Sequence, residues 1–298
     1  MIGDGSLQDK FAHRWRINQS GGGRARLSRW RIIHWLLLQR LGRNHWVKGR
    51  VFWGDPIYVL TGETVSRSIL GFGYAEAALT ALMMKSLKRG MRFVDVGGHI
   101  GYEAMLASVL VGAGGRVVSF EPQSQISDWT ERNLKPYSQA RLVRSAVGER
   151  NGTIDFYEHG PLRSAFSSQF QSLEADEVRK HRVSLTTLDK ALSTDERPVD
   201  FIKCDIEGAE IAMLRGCADL LELDRPLLVL EAEMPSDDPA RPRVAEFVEF
   251  LAPLGYRPFI FEFDGTLRLG PPGAFPLGHA NVAFVHPSRA EFRGLLDQ

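Results

Sequence analysis

Cysteine is scarce in this chain of 298 residues, which contains only Cys204 and Cys217. Two cysteines without CxxC spacing exclude a disulfide-rich scaffold and a CxxC-based zinc or redox site. The histidines lack the H-x-E or clustered spacing of a zinc site, so no metal ligands are assigned among them. This cysteine usage favours the reducing cytosol, and we expect a cytoplasmic protein.

Long hydrophobic runs are also missing. The first 25 residues contain no apolar core of the kind found in a signal peptide. The longest apolar run near the N-terminus, Ile32 to Leu38, is much shorter than the ~20 residues that span a bilayer. With 44% hydrophobic and 24% charged residues, the composition is typical of a soluble globular protein.

Net charge is small, at +1, but it is unevenly distributed. Residues 1–50 contain eleven lysines and arginines against two aspartates, so they carry +9 and the remaining residues carry −8. Residues 1–25 are polar and glycine-rich, and we expect them to be mobile. Residues 27–41 predict a helix rich in tryptophan, leucine and arginine. We favour packing of this helix on its own domain; the alternative is a peripheral membrane contact through residues 28–41.

Strand and helix patterns alternate from residue 91 onwards. Apolar stretches without polar alternation, such as those in "VDFIKCD" and "RPLLVLEAE", are typical of parallel strands buried on both faces. The alternation predicts a doubly wound, Rossmann-like α/β sheet. We divide the chain into a basic, partly disordered and partly helical extension (1–45), a lead-in hairpin and helix that pack on the core (46–90), and the α/β domain (91–298).

The stretch "RFVDVGGHIGYEAM" predicts a strand, a tight turn and the start of a helix. Gly97, Gly98 and Gly101 allow a sharp turn and a close approach to a ligand, because they have no Cβ. The spacing differs from the G-x-G-x-x-G of dinucleotide-binding folds, and Asp95 would repel a pyrophosphate but suit an ammonium group. Glu121 ends the next strand, where an acid can bind a ribose diol. Together these residues favour S-adenosylmethionine over NAD.

Carboxylates gather at the ends of two further predicted strands. Asp205, Glu207 and Glu210 follow the strand "FIKC", and Glu231 and Glu233 end the strand "LLVLEAE". The ligand crevice of an open α/β sheet lies beyond the carboxyl ends of its strands. These side chains are therefore candidates for acceptor binding, for a divalent-metal site or for a general base. We expect a function for Asp205, whereas Glu210 is expected on a helix, either solvated or paired.

Histidines supply other candidates for the base that removes a proton from an attacking hydroxyl. His279 precedes the last predicted strand, at an end that can approach the mouth of the crevice. His99 lies at the tip of the glycine turn, where a contact with a cofactor is more fitting than a role as base. Lys203 is expected to pair with one of the nearby acids.

The segment from Glu158 to Lys180 is rich in hydroxyl side chains and interrupts the sheet pattern. Segments of this length often act as lids or substrate clamps. Arg163 and Ser164 are therefore candidate acceptor contacts. A solvated excursion without a role is an equally good interpretation.

Six segments follow one another along the chain: "FVDVGGHIGY", "GRVVSFEP", "ARLVRSAVGERNGTIDFY", "VSLTTLDKAL", "VDFIKCDIEGAEIAMLRG" and "LLVLEAE". In order and approximate spacing they resemble the FkbM family of S-adenosylmethionine-dependent methyltransferases. The resemblance implies a class I methyltransferase sheet with an antiparallel terminal strand, and O-methylation of a sugar or natural-product hydroxyl. The family usually has D-V-G-A-N-x-G at the turn, so Gly98 and His99 depart from it; histidine tolerates unusual backbone angles.

The same resemblance implies roles for residues at matching positions. Four residues would shape the cofactor turn, namely Asp95, Gly97, His99 and Gly101. Glu121 would bind the ribose hydroxyls, and Ser145 and Ala146 would line the adenine region.

We therefore predict an S-adenosylmethionine-dependent O-methyltransferase with a sugar, glycan or secondary metabolite as acceptor and no nucleic-acid partner. A divalent metal is left open without direct support. The alternatives are an N- or carboxyl-methyltransferase, and a catalytically silent binding module that docks through its basic N-terminus. The catalytic candidates are Asp205, Glu231 and His279, and the acceptor-binding candidates are Glu207, Glu233, Arg163 and Ser164.

Overall fold

The computed structural model of the protein describes residues 6–19, 45–159, 178–233, 244–269 and 279–295. The helix predicted over residues 27–41 and the acceptor candidates Arg163 and Ser164 lie outside these residues. No described helix is both long enough and apolar enough to cross a bilayer.

Strands and helices are numbered along the chain. The strands are β1 (Trp46–Arg50), β2 (Pro56–Leu60), β3 (Arg92–Val96), β4 (Arg116–Phe120), β5 (Ala140–Val143), β6 (Ala146–Val147), β7 (Gly152–His159), β8 (Val178–Thr186), β9 (Phe201–Cys204), β10 (Leu227–Glu233), β11 (Arg257–Phe261), β12 (Leu267–Leu269) and β13 (His279–Val285). The α-helices are α1 (Leu7–Gln19), α2 (Thr64–Phe72), α3 (Ala77–Ser86), α4 (Tyr102–Val111), α5 (Ser124–Leu134), α6 (Leu188–Ala191), α7 (Glu210–Arg215), α8 (Ala218–Leu223) and α9 (Val244–Leu251). Short 3-10 helices cover Thr194–Glu196, Ala252–Leu254 and Ala290–Leu295.

Eight of the described strands form a central sheet in the order β12-β11-β13-β10-β9-β3-β4-β5. Strands β10, β9, β3, β4 and β5 run parallel to one another. Strand β13 lies between β10 and β11 and is antiparallel to both. This order confirms the predicted doubly wound α/β sheet with an antiparallel terminal strand.

Consecutive residues of the central strands enter two different hydrophobic layers. On β3, Phe93 packs into one layer and Val94 into the other, and Phe201 and Ile202 of β9 do the same. All four side chains are buried. Side chains of a strand alternate between faces, so a sheet covered on both faces requires apolar residues at successive positions. With both faces covered, the carboxyl ends of the strands are where a ligand can reach the sheet.

The lead-in region begins with the predicted hairpin, in which β1 and β2 pair antiparallel. Helix α2 follows, and the sequence analysis did not predict it. The carboxylate of Glu63 starts this helix by accepting hydrogen bonds from the backbone N–H groups of Val65 (2.7 Å) and Ser66 (2.6 Å), as an N-cap residue does. Helix α3 then leads into β3.

The segment that follows β9 and its acidic loop forms two short helices, α7 and α8, rather than one continuous helix. The break falls at Gly216, where an added Cβ would lie 2.0 Å from the carbonyl oxygen of Gly148. This close approach of two backbones fixes the position of the break. Gly148 itself follows β6, which belongs to a separate three-stranded sheet of order β6-β8-β7.

The N-terminal helix α1 differs from the expectation that residues 1–25 are mobile. Ser6 and Asp9 cap it: the Asp9 backbone N–H donates to Ser6 Oγ (3.1 Å), and the Ser6 backbone N–H donates to Asp9 Oδ2 (3.1 Å). Phe11 anchors the helix, because its ring is buried against Phe52 and Tyr74 at centroid distances of 5.3 and 5.2 Å. The reciprocal cap is a local helix-start signal that the sequence analysis overlooked.

Candidate active site

A cleft of about 890 Å³, including its part open to solvent, lies at the carboxyl ends of the parallel strands. This is the edge where the predicted cofactor turn and the predicted acidic residues were expected to meet. Several residues predicted from the sequence line it, namely Gly97, His99, Glu121, Ser145, Ala146, Asp205 and Glu207.

The glycine turn after β3 packs too tightly for other residues. Gly97 has a φ of +78°, and a Cβ there would lie 1.9 Å from the carbonyl oxygen of Asp205. A Cβ at Gly98 would lie 1.9 Å from Ser119 Oγ, which donates to Asp95 Oδ2 at 3.5 Å. The glycine at position 98 therefore accommodates Ser119. The two positions bring the turn against the strands on both sides of β3.

His99 is held in the turn mainly through its backbone. Its φ is +45°, a conformation that histidine adopts more readily than most residues. The backbone N–H of His99 donates to Glu121 Oε2 at 2.9 Å, and its carbonyl oxygen accepts from Thr130 Oγ1. Burial lowers the pKa of His99, so the imidazole that lines the cleft is neutral at physiological pH.

Glu121, at the end of β4, ties two loops together. Its Oε2 accepts from the His99 N–H, and its Oε1 accepts from the Gln123 N–H at 2.9 Å. Burial raises the pKa of Glu121 to about 7. Each carboxylate oxygen has a second lone pair, so Glu121 can also accept hydrogen bonds from a ribose diol without releasing either loop.

A buried lysine joins the glycine turn to the acidic end of β9. Lys203 Nζ lies 3.4 Å from Asp205 Oδ2 and 3.9 Å from Asp95 Oδ1, and it donates to the carbonyl oxygen of Gly97 at 3.1 Å. Burial opposes its charge, but Asp205 and Asp95 outweigh burial and raise the pKa of Lys203. The predicted pairing of Lys203 is present, and it links two aspartates rather than one.

Three carboxylates converge beyond β9 and β10. One oxygen from each of Asp205, Glu207 and Glu231 lies within 4.8 Å of the others. Burial, followed by the charge of Asp205, raises the pKa of Glu231 to about 11, whereas Lys203 keeps the pKa of Asp205 low despite burial. Glu231 is therefore protonated at neutral pH and shares its proton with the Asp205 carboxylate. Oxygen ligands of this kind can hold a divalent ion if the proton leaves.

Glu210 is neither solvated nor paired with a cation, in contrast to the expectation from sequence. Its side chain is buried, and its Oε1 accepts from the backbone N–H groups of Ile206 (2.9 Å) and Gly208 (3.4 Å). Burial raises its pKa to about 7. Glu210 therefore shapes the loop that carries Asp205 and Glu207.

A sequence model of the methyltransferase FkbM domain matches residues 95–258, which is more than half of the chain. The chain belongs to the FkbM methyltransferase family. The FkbM match begins at Asp95 and includes the glycine turn, Glu121 and the Lys203–Asp205 segment, so it covers the part of the cleft described above. It confirms the resemblance found in the sequence.

Other methyltransferases are similar to parts of this FkbM chain. Protein-L-isoaspartate O-methyltransferases of Methanopyrus kandleri and Methanothrix thermoacetophila are 27% identical over 115 residues and 32% identical over 106 residues. These matches cover 39% and 36% of this chain and 47% and 46% of the relatives, so the chain spans about half the length of each. A solved FkbM methyltransferase of Methylobacillus flagellatus KT is 17% identical, with a TM-score of 0.43, over 68% of this chain and 48% of that one.

Some predicted site residues lie elsewhere or cannot be placed. Gly101 begins α4 with a φ of +84° and packs against Thr130, outside the lining of the cleft. Asp95 is buried behind the turn. His279 and Glu233 are paired through their backbones across β13 and β10, but their side chains lie outside the described part of the structure.

Two glutamates in the cleft of this FkbM protein were missed from the sequence. Glu76 precedes α3 with a φ of +35°, and Asn281 Nδ2 donates to its Oε2 at 2.8 Å. Glu103 lies in the first turn of α4 and is 7% exposed. An acid in the first turn of a helix is commonly explained by the helix dipole, so the position of Glu103 in the sequence does not by itself indicate a ligand contact. Both side chains line the cleft.

Proposed function

We propose that the protein uses S-adenosylmethionine to methylate a hydroxyl oxygen of a sugar, glycan or secondary metabolite. The observation that supports this most directly is the order of residues along one sheet edge. Ser145 and Ala146 follow β5, Glu121 follows β4, and Gly97 follows β3. These neighbouring strands place two small residues for an adenine ring, an acceptor for ribose hydroxyls and a close backbone approach side by side, in the spatial order that an elongated adenosyl ligand requires.

The charge of the residues that line the cleft also fits this cofactor. Five of the cleft-lining residues named above are acids, against the amine of Lys203, which is already paired with Asp205 and Asp95. Such a surface suits a sulfonium and an ammonium group but opposes the pyrophosphate of NAD. When bound, the cofactor supplies an electrophilic methyl group. Glu121 would bind the ribose hydroxyls, and Gly97 would allow the chain to approach the amino-acid end.

Asp205 is positioned to bind the acceptor hydroxyl and to accept its proton. It borders the cleft and stays ionised because Lys203 lies 3.4 Å away. An ionised carboxylate can accept a hydrogen bond from the acceptor hydroxyl and so orient its oxygen. The bound cofactor would supply the methyl group, and Asp205 would accept the proton that the hydroxyl loses as its oxygen is methylated. Glu231, already protonated, orients Asp205 rather than acting as the base.

The same acids disfavour methylation of a carboxylate. A carboxylate acceptor would enter a cleft lined by Glu76, Glu103, Asp205 and Glu207, and the ionised carboxylate of Asp205 would repel its negative charge. A neutral polyol meets no such barrier and can donate its hydroxyls to these oxygens. The proposed acceptor is therefore a hydroxyl compound.

Calorimetry with S-adenosylmethionine, S-adenosylhomocysteine and NAD tests this proposal. We expect both adenosyl ligands to bind and NAD not to bind. Asp205→Asn should retain cofactor affinity but lose methyl transfer to a library of hydroxyl compounds. Methyl transfer is detected by mass spectrometry as the mass gain of one methyl group. Absence of binding by both adenosyl ligands, or tighter binding of NAD, would overturn the proposal.

A further inference from the structure

Glu103 presents a carboxylate that the protein itself leaves without a cationic partner. The residue is 7% exposed and lines the cleft from the first turn of α4. In the described part of the chain, no lysine, arginine or histidine forms an ion pair with its carboxylate, and the charge of Lys203 acts on it only from a distance. A buried carboxylate normally has a counter-ion or several donors, because desolvation of its charge is costly. A positively charged group of a ligand in the cleft can supply this partner.

Glu76 reaches the same part of the cleft from a different element. It lies in the left-handed backbone region at a φ of +35°, a conformation that costs energy for a residue with a Cβ. Asn281 of β13 fixes its orientation through the 2.8 Å hydrogen bond to Oε2. The charge of Glu76 raises the pKa of Glu103 more than any other influence except burial. Both side chains line the same cleft.

Among the described residues, Lys203 is the amine whose charge acts on both acids. Its Nζ lies within 3.9 Å of Asp95 and Asp205, and it forms no ion pair with Glu76 or Glu103, so it compensates them only from a distance. Burial and Glu76 raise the pKa of Glu103 to about 8, which shows how poorly its charge is compensated in the free protein. A bound cation would remove this penalty.

The position of Glu76 and Glu103 in the cleft indicates which end of the cofactor they would contact. Adenine and ribose are assigned to the side of Ser145, Ala146 and Glu121, which follow β5 and β4. Glu103 instead follows the glycine turn directly, and both it and Glu76 interact electrostatically with Asp95 behind that turn. An elongated ligand that crosses the turn from Glu121 would bring its other end to Glu76 and Glu103.

We propose that Glu76 and Glu103 form the binding site for the α-ammonium group of the cofactor's methionine moiety. This assignment rests on the proposed use of S-adenosylmethionine. It makes the two glutamates binding residues and leaves Asp95 to hold Lys203. Cofactor affinity then depends on an ammonium group that takes no part in methyl transfer.

Calorimetry with a matched pair of ligands tests the assignment. S-adenosylhomocysteine carries the ammonium group, and its deaminated analogue, S-(5′-adenosyl)-4-thiobutyrate, lacks it. Charged hydrogen bonds contribute about 1.5–3 kcal/mol, so Glu103→Gln and Glu76→Gln should each weaken S-adenosylhomocysteine binding by roughly 10- to 100-fold. The analogue should bind the wild type more weakly than S-adenosylhomocysteine does, and it should bind both variants as it binds the wild type. Glu222→Gln, in an exposed part of α8, is the control and should change neither affinity.

The outcomes separate this assignment from the proposed function. If neither ligand binds the wild type, the use of an adenosyl cofactor is wrong, and this assignment fails with it. If S-adenosylhomocysteine binds the wild type and both glutamine variants equally, or if both ligands weaken by the same factor, only the ammonium assignment is overturned. Circular dichroism checks that each variant is folded. Glu76→Gln, on a separate element, provides the test if Glu103→Gln does not fold.

Discussion

The α-carbon of Gly97 faces the carbonyl oxygen of Asp205, and a Cβ on Gly97 would lie 1.9 Å from that oxygen. The cofactor turn and the proposed catalytic aspartate are therefore in direct backbone contact. A change in one must displace the other.

Gly97→Ala should damage stability and cofactor binding together. Its positive φ alone costs about 1–2 kcal/mol for an alanine, and the clash with Asp205 adds to this cost. We expect a loss of about 3 kcal/mol or more in the free energy of unfolding, measured in urea. Gly54→Ala is the control, because Gly54 also has a positive φ (+106°) but has open space around its missing Cβ. Equal losses in the two variants would contradict the importance of the close approach.

Lys203→Met should be strongly destabilising. The substitution leaves Asp95 and Asp205 buried without their shared cation. Removal of one partner from a buried ion pair typically costs about 3–5 kcal/mol, which urea unfolding would detect. The matched exposed pair is Lys180 with Asp155, whose Nζ–Oδ2 distance is 2.8 Å. Lys180→Met should cost less than about 1 kcal/mol, and a comparable loss would show that Lys203 has no special role.

The ligand-free protein should lose stability as the pH rises from about 5 to about 8. Burial raises the pKa values of Glu121 and Glu210 to about 7 and that of Glu103 to about 8, whereas glutamate titrates near 4.3 in an unfolded chain. The folded state binds more protons across this window, so its stability is highest on the acidic side and declines as these groups ionise.

Glu103→Gln isolates one contribution to this pH dependence. The variant cannot ionise, so it should exceed the wild type in stability at pH 8.5 by on the order of 2–4 kcal/mol and match it near pH 5. Urea midpoints measured across the range provide the comparison. A difference that does not vary with pH would contradict ionisation of Glu103 as the cause.

Glu121→Gln should loosen the glycine turn. The native carboxylate accepts one backbone N–H at each oxygen, from His99 and Gln123. A glutamine has only one oxygen, so its NH₂ group would face one of these N–H donors. We expect cofactor affinity to fall by about tenfold or more, measured by calorimetry. Unchanged affinity would remove Glu121 from the cofactor site.

Local patterns were sufficient for one part of the cleft. Asp95, the glycines and Glu121 lie within two adjacent strand–helix units, and parallel pairing of β3 and β4 brings their ends together. The conformation of the turn follows from the glycines themselves. For these residues, sequence spacing determines spatial proximity almost directly.

Other parts of the cleft depend on contacts that spacing does not encode. Glu76 reaches the cleft through the packing of α3 and a hydrogen bond from Asn281, which lies 205 residues away. The proton shared by Glu231 and Asp205 depends on burial, which a list of acids does not reveal. The break at Gly216 requires the backbone of Gly148. By contrast, the helix cap formed by Ser6 and Asp9 is a local pattern that the sequence alone is sufficient to predict.

Strand β13 has a consequence for how the chain acquires its structure. β11 reaches the sheet only through β13, and β13 fills the gap beside β10. During synthesis, the five parallel strands can assemble while this gap is still open, because β13 is translated after all of them. Until it inserts, the edge of β10 exposes unpaired N–H and C=O groups that can pair with another chain. Aggregation of a nascent or partly unfolded chain should therefore begin at β10, in the interior of the finished sheet.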